Sequence, residues 1–221
     1  MLTKLTPIGA SGKRILTTNT YTLINGLTRL TKTSTCAVGE CGSVKEQVVN
    51  YSYWQNTNLI ATQTTTNGTG SLSQTITNTY DNAGRLLVSD GPLSGLSDAS
   101  YSRYDLSGRN TWAIGPVNES GFRAAQRMTY RPQDNAVLSL ETGSLSSATS
   151  SALAVVSTTT NTYNAHGLLL TSKVSSPTES KSLTQNTYDS SNRVNCSATR
   201  MNPAKFTNLP SSACTLGTEG V

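Results

Sequence analysis

TNTYDNAGRLLVSDGP, residues 77–92, sets an aromatic ring, an acid, a glycine, an arginine and an apolar run in one line. Ahead of it, SQTITNTY alternates so that Ile76, Asn78 and Tyr80 share one face, which is strand periodicity. Asp81-Asn82-Ala83-Gly84 has the order of a type I turn, Asp first and Gly fourth. The Asp carboxylate can accept a backbone N–H inside such a turn, and Gly84 tolerates the positive φ that the exit requires. RLLVSD then starts a second strand, and Gly91-Pro92 halts pairing. The stretch therefore predicts a β-hairpin.

It also recurs. Seven of the nine tyrosines stand at 21, 53, 80, 104, 130, 163 and 188, spaced by 32, 27, 24, 26, 33 and 25 residues. Five of them follow Thr, Tyr53 follows Ser52 and Tyr104 follows Arg103. The clearest copies begin at Thr79, at Arg103 (RYDLSGRNTWAIGP) and at Thr187 (TYDSSNRVNCSATRMNP). In the last copy Asn192 stands in the glycine position, the next most tolerant residue there. TYNAHGLLLTSKVSSP at Thr162 keeps Tyr163 and Gly167 but has Asn164 for Asp and Leu168 for Arg. The copies around Tyr21 and Tyr130 are looser, and that around Tyr53 is the loosest.

One hairpin cannot cover its own apolar face, whereas seven side by side predict an all-β, continuous antiparallel sheet held by neighbour contacts. Residues 1–221 thus read as one repeat region. Tyr and Arg recurring at the hairpin ends suggest a ladder of rings stacked with guanidinium groups. On this reading Tyr80, Asp81, Gly84, Arg85, Tyr104, Asp105, Gly108, Arg109, Tyr163, Gly167, Tyr188, Asp189, Asn192 and Arg193 are structural, because a catalytic pair would not be copied along a chain with substitutions.

Composition agrees. There are 35 Thr and 30 Ser, and only 13% of residues are charged, which disfavours long helices. The net charge is +5, but the basic residues are scattered, and only Lys13-Arg14 are adjacent. A nucleic-acid footprint needs a clustered patch. No apolar window is long enough for a membrane span. The first residues lack the apolar core of a signal peptide, and the pattern starts and stops like an internal piece of something larger.

Cys36 and Cys41 enclose AVGE, and Cys196 and Cys214 enclose a loop with two prolines. Neither spacing is a zinc CxxC. An even count in a Ser/Thr-rich chain points to two local disulfides and an oxidising compartment, with three pairings open to four cysteines.

The motif resembles the YD repeat of the Rhs family, Tyr-Asp-x-x-Gly-Arg-Leu followed by a short strand. Tyr80 to Leu86 matches at every position, Tyr104 to Arg109 in all but the Leu, and Tyr188 to Arg193 with Asn192 for Gly. The resemblance implies secreted or surface-exposed proteins whose hairpin sheet spirals into a hollow shell. In toxin-bearing members that shell encloses a C-terminal toxic domain until delivery. The implied partners are the rest of such a polypeptide, its enclosed toxin and surface carbohydrate. The Asp-Pro-x-Gly-Leu self-cleavage motif of those members is missing here, and seven hairpins are too few to close a shell.

Other constellations weigh little. His166, the one histidine, precedes Gly167 in a turn, away from any Ser-His-Asp arrangement. GASGKR at Gly9 lacks the glycine spacing and the hydroxyl of a phosphate loop. NGTGS at Asn67 and LSSATSSAL at Leu145 read as loops, the second as a flexible insertion rather than a functional protrusion. Asn67-Gly-Thr and Asn118-Glu-Ser are formal glycan acceptors. Trp54 and Trp112 read as plugs between units rather than sugar-stacking platforms. The sequence thus favours a structural shell segment, with a carbohydrate or cell-surface binding module as the alternative. It offers no cofactor or metal site and no converging titratable groups for an enzyme.

Overall fold

The computed structural model describes residues 1–6 and 12–215, and Gly9–Ser11 of the phosphate-loop-like stretch lie outside the described residues. Fifteen strands follow one another in chain order, and no α-helix occurs among the described residues. The chain divides into two compact units, residues 1–101 and 102–221.

The first unit contains β1 (Leu2–Leu5), β2 (Ile15–Ile24), β3 (Leu27–Ala37), β4 (Gln47–Tyr53), β5 (Ile60–Asn67), β6 (Ser73–Tyr80) and β7 (Leu86–Asp90). Each pairs antiparallel with the next, and the start of β8 (Ser100–Tyr104) lies on β7 through Ser100 and Tyr101. The second unit holds the rest of β8, β9 (Asn110–Val117), β10 (Arg123–Tyr130), β11 (Val137–Leu145), β12 (Ala154–Tyr163), β13 (Leu169–Ser175), β14 (Ser180–Tyr188) and β15 (Val194–Arg200). From β9 onward each strand is antiparallel to its successor. These are runs of Thr, Val and Ser alternating with apolar residues, as in AVVSTTTNTY of β12, and they suit a half-buried pleated surface.

Every motif tyrosine but Tyr21 is the last residue of its strand. At six of them the register slips by one residue. Thr79 pairs with Val88 but Tyr80 with Leu86, so Leu87 is left over. The same bulge follows Thr20, Ser52, Thr129, Thr162 and Thr187. A one-residue bulge bends its strand and raises the local twist. Tyr21 departs because β2 runs on to Ile24. Asn25 and Gly26, at φ 50° and 81°, then close a two-residue hairpin turn.

Few side chains are fully buried, which accords with hairpins that lean on their neighbours rather than enclose a deep core. Ile114 and Leu145 are the largest below 2% exposure. The insertion after β11 is not the free loop that its composition suggests. The Arg103 guanidinium donates to the Ala148 and Ser150 carbonyl oxygens at 2.5 and 2.7 Å. Two charge-assisted bonds hold the loop where Ser and Thr alone would have left it open.

Candidate functional site

The hairpin turns are built alike. At Asp81, the N–H donates to the Arg85 carbonyl at 3.0 Å and the Gly84 N–H donates to the Asp81 carbonyl at 2.9 Å. The carboxylate closes the loop from within: Oδ1 accepts from the Ala83 and Arg85 backbone N–H groups, and Oδ2 from Arg85 Nε at 2.6 Å. Asp105 with Arg109 and Asp189 with Arg193 repeat the Oδ1 and Oδ2 bonds. Asn164 keeps only the backbone half, accepting from His166 and Leu168, which is all that an amide facing a leucine can do. His166 itself is exposed in this turn. Gly84, Gly108 and Gly167 have φ of 77°, 80° and 79°, and Asn192 has 61°.

A fifth turn of this design lies at the opposite hairpin end. Asn118 Oδ1 accepts from Ser120 and Phe122, and the Gly121 N–H donates to the Asn118 carbonyl. Its signal was Asn-x-x-Gly, hidden in the sequence by the overlapping glycan acceptor. The Asn67 side chain is likewise engaged in its own loop, where Oδ1 accepts from Leu72 N.

Two expected results follow from the turns. Gly84→Val should lose about 1–2 kcal/mol, because a β-branched residue resists positive φ. Leu59 Cδ1 also stands 3.1 Å from where a Cβ would sit. Exposed Asn82→Ala should cost under about 0.5 kcal/mol, and equal melting temperatures would refute the turn assignment. The second concerns acid. The carboxyls of Asp81, Asp105 and Asp189 are held below their ordinary range, first by the backbone N–H of the arginine four residues on and then by its guanidinium. A depressed folded-state pKa contributes stability that is present above the unfolded value, near 3.9, and is lost as pH falls through the folded one. Denaturation midpoints should therefore fall below about pH 4, and less steeply in the triple Asp→Asn variant. Parallel acid limbs would exclude these carboxylates as the cause.

Between hairpins, five of the motif tyrosines reach back to the preceding hairpin. The hydroxyls of Tyr53, Tyr80, Tyr130, Tyr163 and Tyr188 donate to the carbonyls of Leu30, Ile60, Asn110, Val137 and Leu169 at 2.5–2.9 Å. Four of those acceptors, Leu30, Ile60, Val137 and Leu169, pair with the preceding hairpin's own tyrosine. In three units an asparagine two residues earlier shares the target. Asn78, Asn161 and Asn186 Nδ2 donate to Ile60, Val137 and Leu169 at 2.9–3.0 Å. The recurring tripeptide Asn-Thr-Tyr was a visible signal for this clamp, and reading the motif only from Tyr onward missed it. Alternation sends the middle residue to the other face. There Thr162 bonds Thr171 at 2.6 Å, Ser52 bonds Thr62 at 2.6 Å and Thr129 bonds Ser139 at 2.7 Å.

Tyr163→Phe and Asn161→Ala should each cost about 1 kcal/mol. The double variant should cost more than their sum, because the half-buried Val137 carbonyl then loses both side-chain donors. Urea denaturation of the four proteins measures this, and additive losses would mean that the two bonds do not share one acceptor in solution.

Arginines fill the ladder. Arg29 lies 5.2 Å from the Tyr53 ring centroid, Arg109 5.0 Å from Tyr130 and Arg131 5.0 Å from Tyr163, each on the tyrosine of the next hairpin. Where the second hairpin has Leu59 in place of the arginine, Trp54 packs against Tyr80 instead, 5.7 Å between centroids. Trp112 is buried between Arg103 and Arg127, at 4.9 and 5.4 Å. Both tryptophans thus plug neighbouring strands.

The structure pairs Cys36 with Cys41 and Cys196 with Cys214, with Cα–Cα distances of 5.2 and 5.3 Å. Beside the first, the Glu46 carboxyl is held down by the Ser34 hydroxyl and then by the Gly42 N–H, and Glu40 by Lys13 and Lys45. In the second unit a recess of about 380 Å³ is lined by Thr162, Asn164, Leu170, Thr171, Gln185, Asn186, Thr187, Tyr188 and Ser211, with no charged side chain. No group of three or more His, Cys, Asp or Glu side chains placed to hold a metal occurs among the described residues.

No family model and no curated protein matches the sequence. Solved structures are similar in fold. The crystal structure of TcdB2-TccC3-Cdc42 fits with a TM-score of 0.52 at 16% identity, over 88% of this chain and 11% of that one. That of TcdB2-TccC3 has a TM-score of 0.48 at 15% identity, with the same coverage. The Photorhabdus luminescens Tc holotoxin pore has 0.21 at 13% identity, over 88% and 14%. The chain thus spans about a tenth of the first structures it fits, and the first of them shows a shared fold. The chain is thus an all-β sheet of tandem antiparallel hairpins, a fold it shares with a stretch of the TcdB2-TccC3-Cdc42 structure.

Proposed function

We propose that the chain is a stretch of wall from a shell that encloses and helps deliver a toxic domain in bacterial competition or host interaction. The observation that carries this reading is the clamp. Along the sheet a hairpin presents a carbonyl that the next one takes with a tyrosine hydroxyl, and three hairpins add an arginine on which the next tyrosine ring stacks. Such a unit propagates, so wall can be added hairpin by hairpin with no special end. The motif carboxylates are spent on turns, and the reading gives them no catalytic task. The fold shared with a stretch of TcdB2-TccC3-Cdc42 supports it, as does the Rhs resemblance, whose toxin-bearing members are shells. Two disulfides fit an oxidising, extracytoplasmic setting. The proposed partners are therefore the rest of the same polypeptide and the domain it encloses.

Electron microscopy of the complete natural gene product, with proteolysis of its interior, tests the proposal. A hollow particle whose wall contains residues 1–221, shielding a further domain from protease, is the expected result. An open strip with every segment accessible would overturn it.

A second reading, carbohydrate binding, draws on the uncharged recess beside Tyr188, whose hydroxyl and amide lining suits a neutral polyol. Glycan-array binding by this chain that is lost in Thr171→Val would favour it over the shell wall.

A further inference from the structure

After β15 the chain does not leave the sheet. It turns at Asn202, whose Oδ1 caps a short 3-10 turn, Pro203–Lys205, and then runs back across β14 to meet β15 again at Cys214. The Ala213 N–H donates to the Thr187 hydroxyl at 2.6 Å, and Gln185 Nε2 donates to the Pro210 carbonyl at 2.7 Å. Arg200 ties both ends, from Nε to Gln185 Oε1 and from NH2 to the Thr215 carbonyl. Under this strap Leu183 is 4% exposed and Gln185 8%, and Ala213 is the strap's one buried side chain. On β12, residues of the face that carries Thr162 lie open, with Val156 67% exposed.

The strap is thus a local cover whose apolar anchorage is Ala213 with the half-buried Phe206, Leu209 and Pro210. Its covalent tie is the disulfide Cys196–Cys214, between residues 18 apart in sequence. Cys214 is an exposed residue and Cys196 a half-buried one, with Asn195 Nδ2 3.7 Å from the Cys214 sulfur, so Cys214 is the more accessible half of the bond. We propose that residues 201–215 form a thiol-releasable latch, closed in an oxidising compartment and opened in a thiol-rich one to uncover Leu183, Gln185 and Thr187.

The step balances. A low-molecular-weight thiolate attacks Cys214 Sγ, forms a mixed disulfide and expels Cys196 as a thiolate, which takes up a proton. A second thiol then releases Cys214 as a thiol, and the reductant leaves as its own disulfide. Opening restores to the strap the conformational freedom that the 18-residue closure denies it. A few hydrogen bonds, each of modest net value in water, and the half-buried Phe206, Leu209 and Pro210 must then hold it.

The test is hydrogen exchange with mass spectrometry on the full chain carrying Cys36→Ser and Cys41→Ser, so that dithiothreitol acts on one disulfide only. On reduction, amides of 201–215 should exchange about a hundredfold faster, given the closure entropy of such a loop. Those of 183–187 should also quicken, and those of β9 should stay unchanged. Unchanged exchange in the strap would overturn the proposal, as would faster exchange throughout the second unit, which would make the bond a staple of the whole fold. A disulfide that resists millimolar thiol would overturn it too. If the double variant does not fold, the native chain is compared with Cys214→Ser, with alkylation mapping to confirm which bond has opened. The same outcomes decide.

Discussion

Trp112→Ala is expected to lower stability by about 3–5 kcal/mol, the range for removing a large buried aromatic side chain. The ring lies between two guanidinium groups, each with a further partner. Arg103 holds the loop carbonyls of Ala148 and Ser150, and Arg127 Nε donates to Glu141 Oε2 at 2.5 Å. Removing the indole therefore opens a cavity and unseats a stack that runs from the 146–153 loop to β11. For a unit of this size the melting temperature should fall by roughly 12–20 °C. Protease cleavage within 146–153 should appear well before global unfolding. Trp112→Phe should recover part of the loss by refilling the space. A melting temperature unchanged by the alanine would mean that the stack is not held in solution.

The second large effect is expected at Gly143, inside β11. Between Thr142 and Gly143 the register to β12 slips, leaving Val156 unpaired. Here the two backbones approach so closely that a Cβ on residue 143 would stand 2.2 Å from the Ala154 carbonyl oxygen and 3.0 Å from Val155 Cα. These are backbone atoms in a paired strand, so they cannot swing aside. Gly143→Ala should cost roughly 3 kcal/mol, at the upper end of overpacking penalties, measured by urea denaturation. Gly115→Ala is the control, because a Cβ there would meet only the Ala124 carbonyl oxygen, at the ordinary distance of 3.5 Å. Similar losses at the two sites would place the strain in the loss of glycine from a strand rather than in the approach of the backbones.

Much of this architecture is legible in the amino-acid sequence. The alternation in SQTITNTY, the Asp-x-x-Gly order and the spacing of seven tyrosines are local signals, and local backbone preferences fix a hairpin once its turn is chosen. The arginine at position 103, where five of the seven copies have Thr, was a visible departure whose reason lies 45 residues away, at the carbonyl of Ala148.

What the sequence could not yield is what depends on contact between hairpins. The carbonyl that receives each tyrosine carries no side-chain signature, so the clamp on Leu30, Ile60, Val137 and Leu169 emerges only when strands are laid in register. The first hairpin slid to its own turn because Asn25-Gly26 closes a tighter loop than the shared motif. The loop at 146–153 is polar by composition and reads as free, and it is held because a long-range guanidinium reaches it. The tie at Cys196 and Cys214 was legible in the cysteine count, but the course of 201–215 back across β14 was not. Period and turn chemistry, which act within a few residues, determined the hairpin and its repetition. Register, bulge and fold-back were decided by pairing between distant residues, where the free energy lies in buried carbonyls and stacked rings rather than in any single residue's preference.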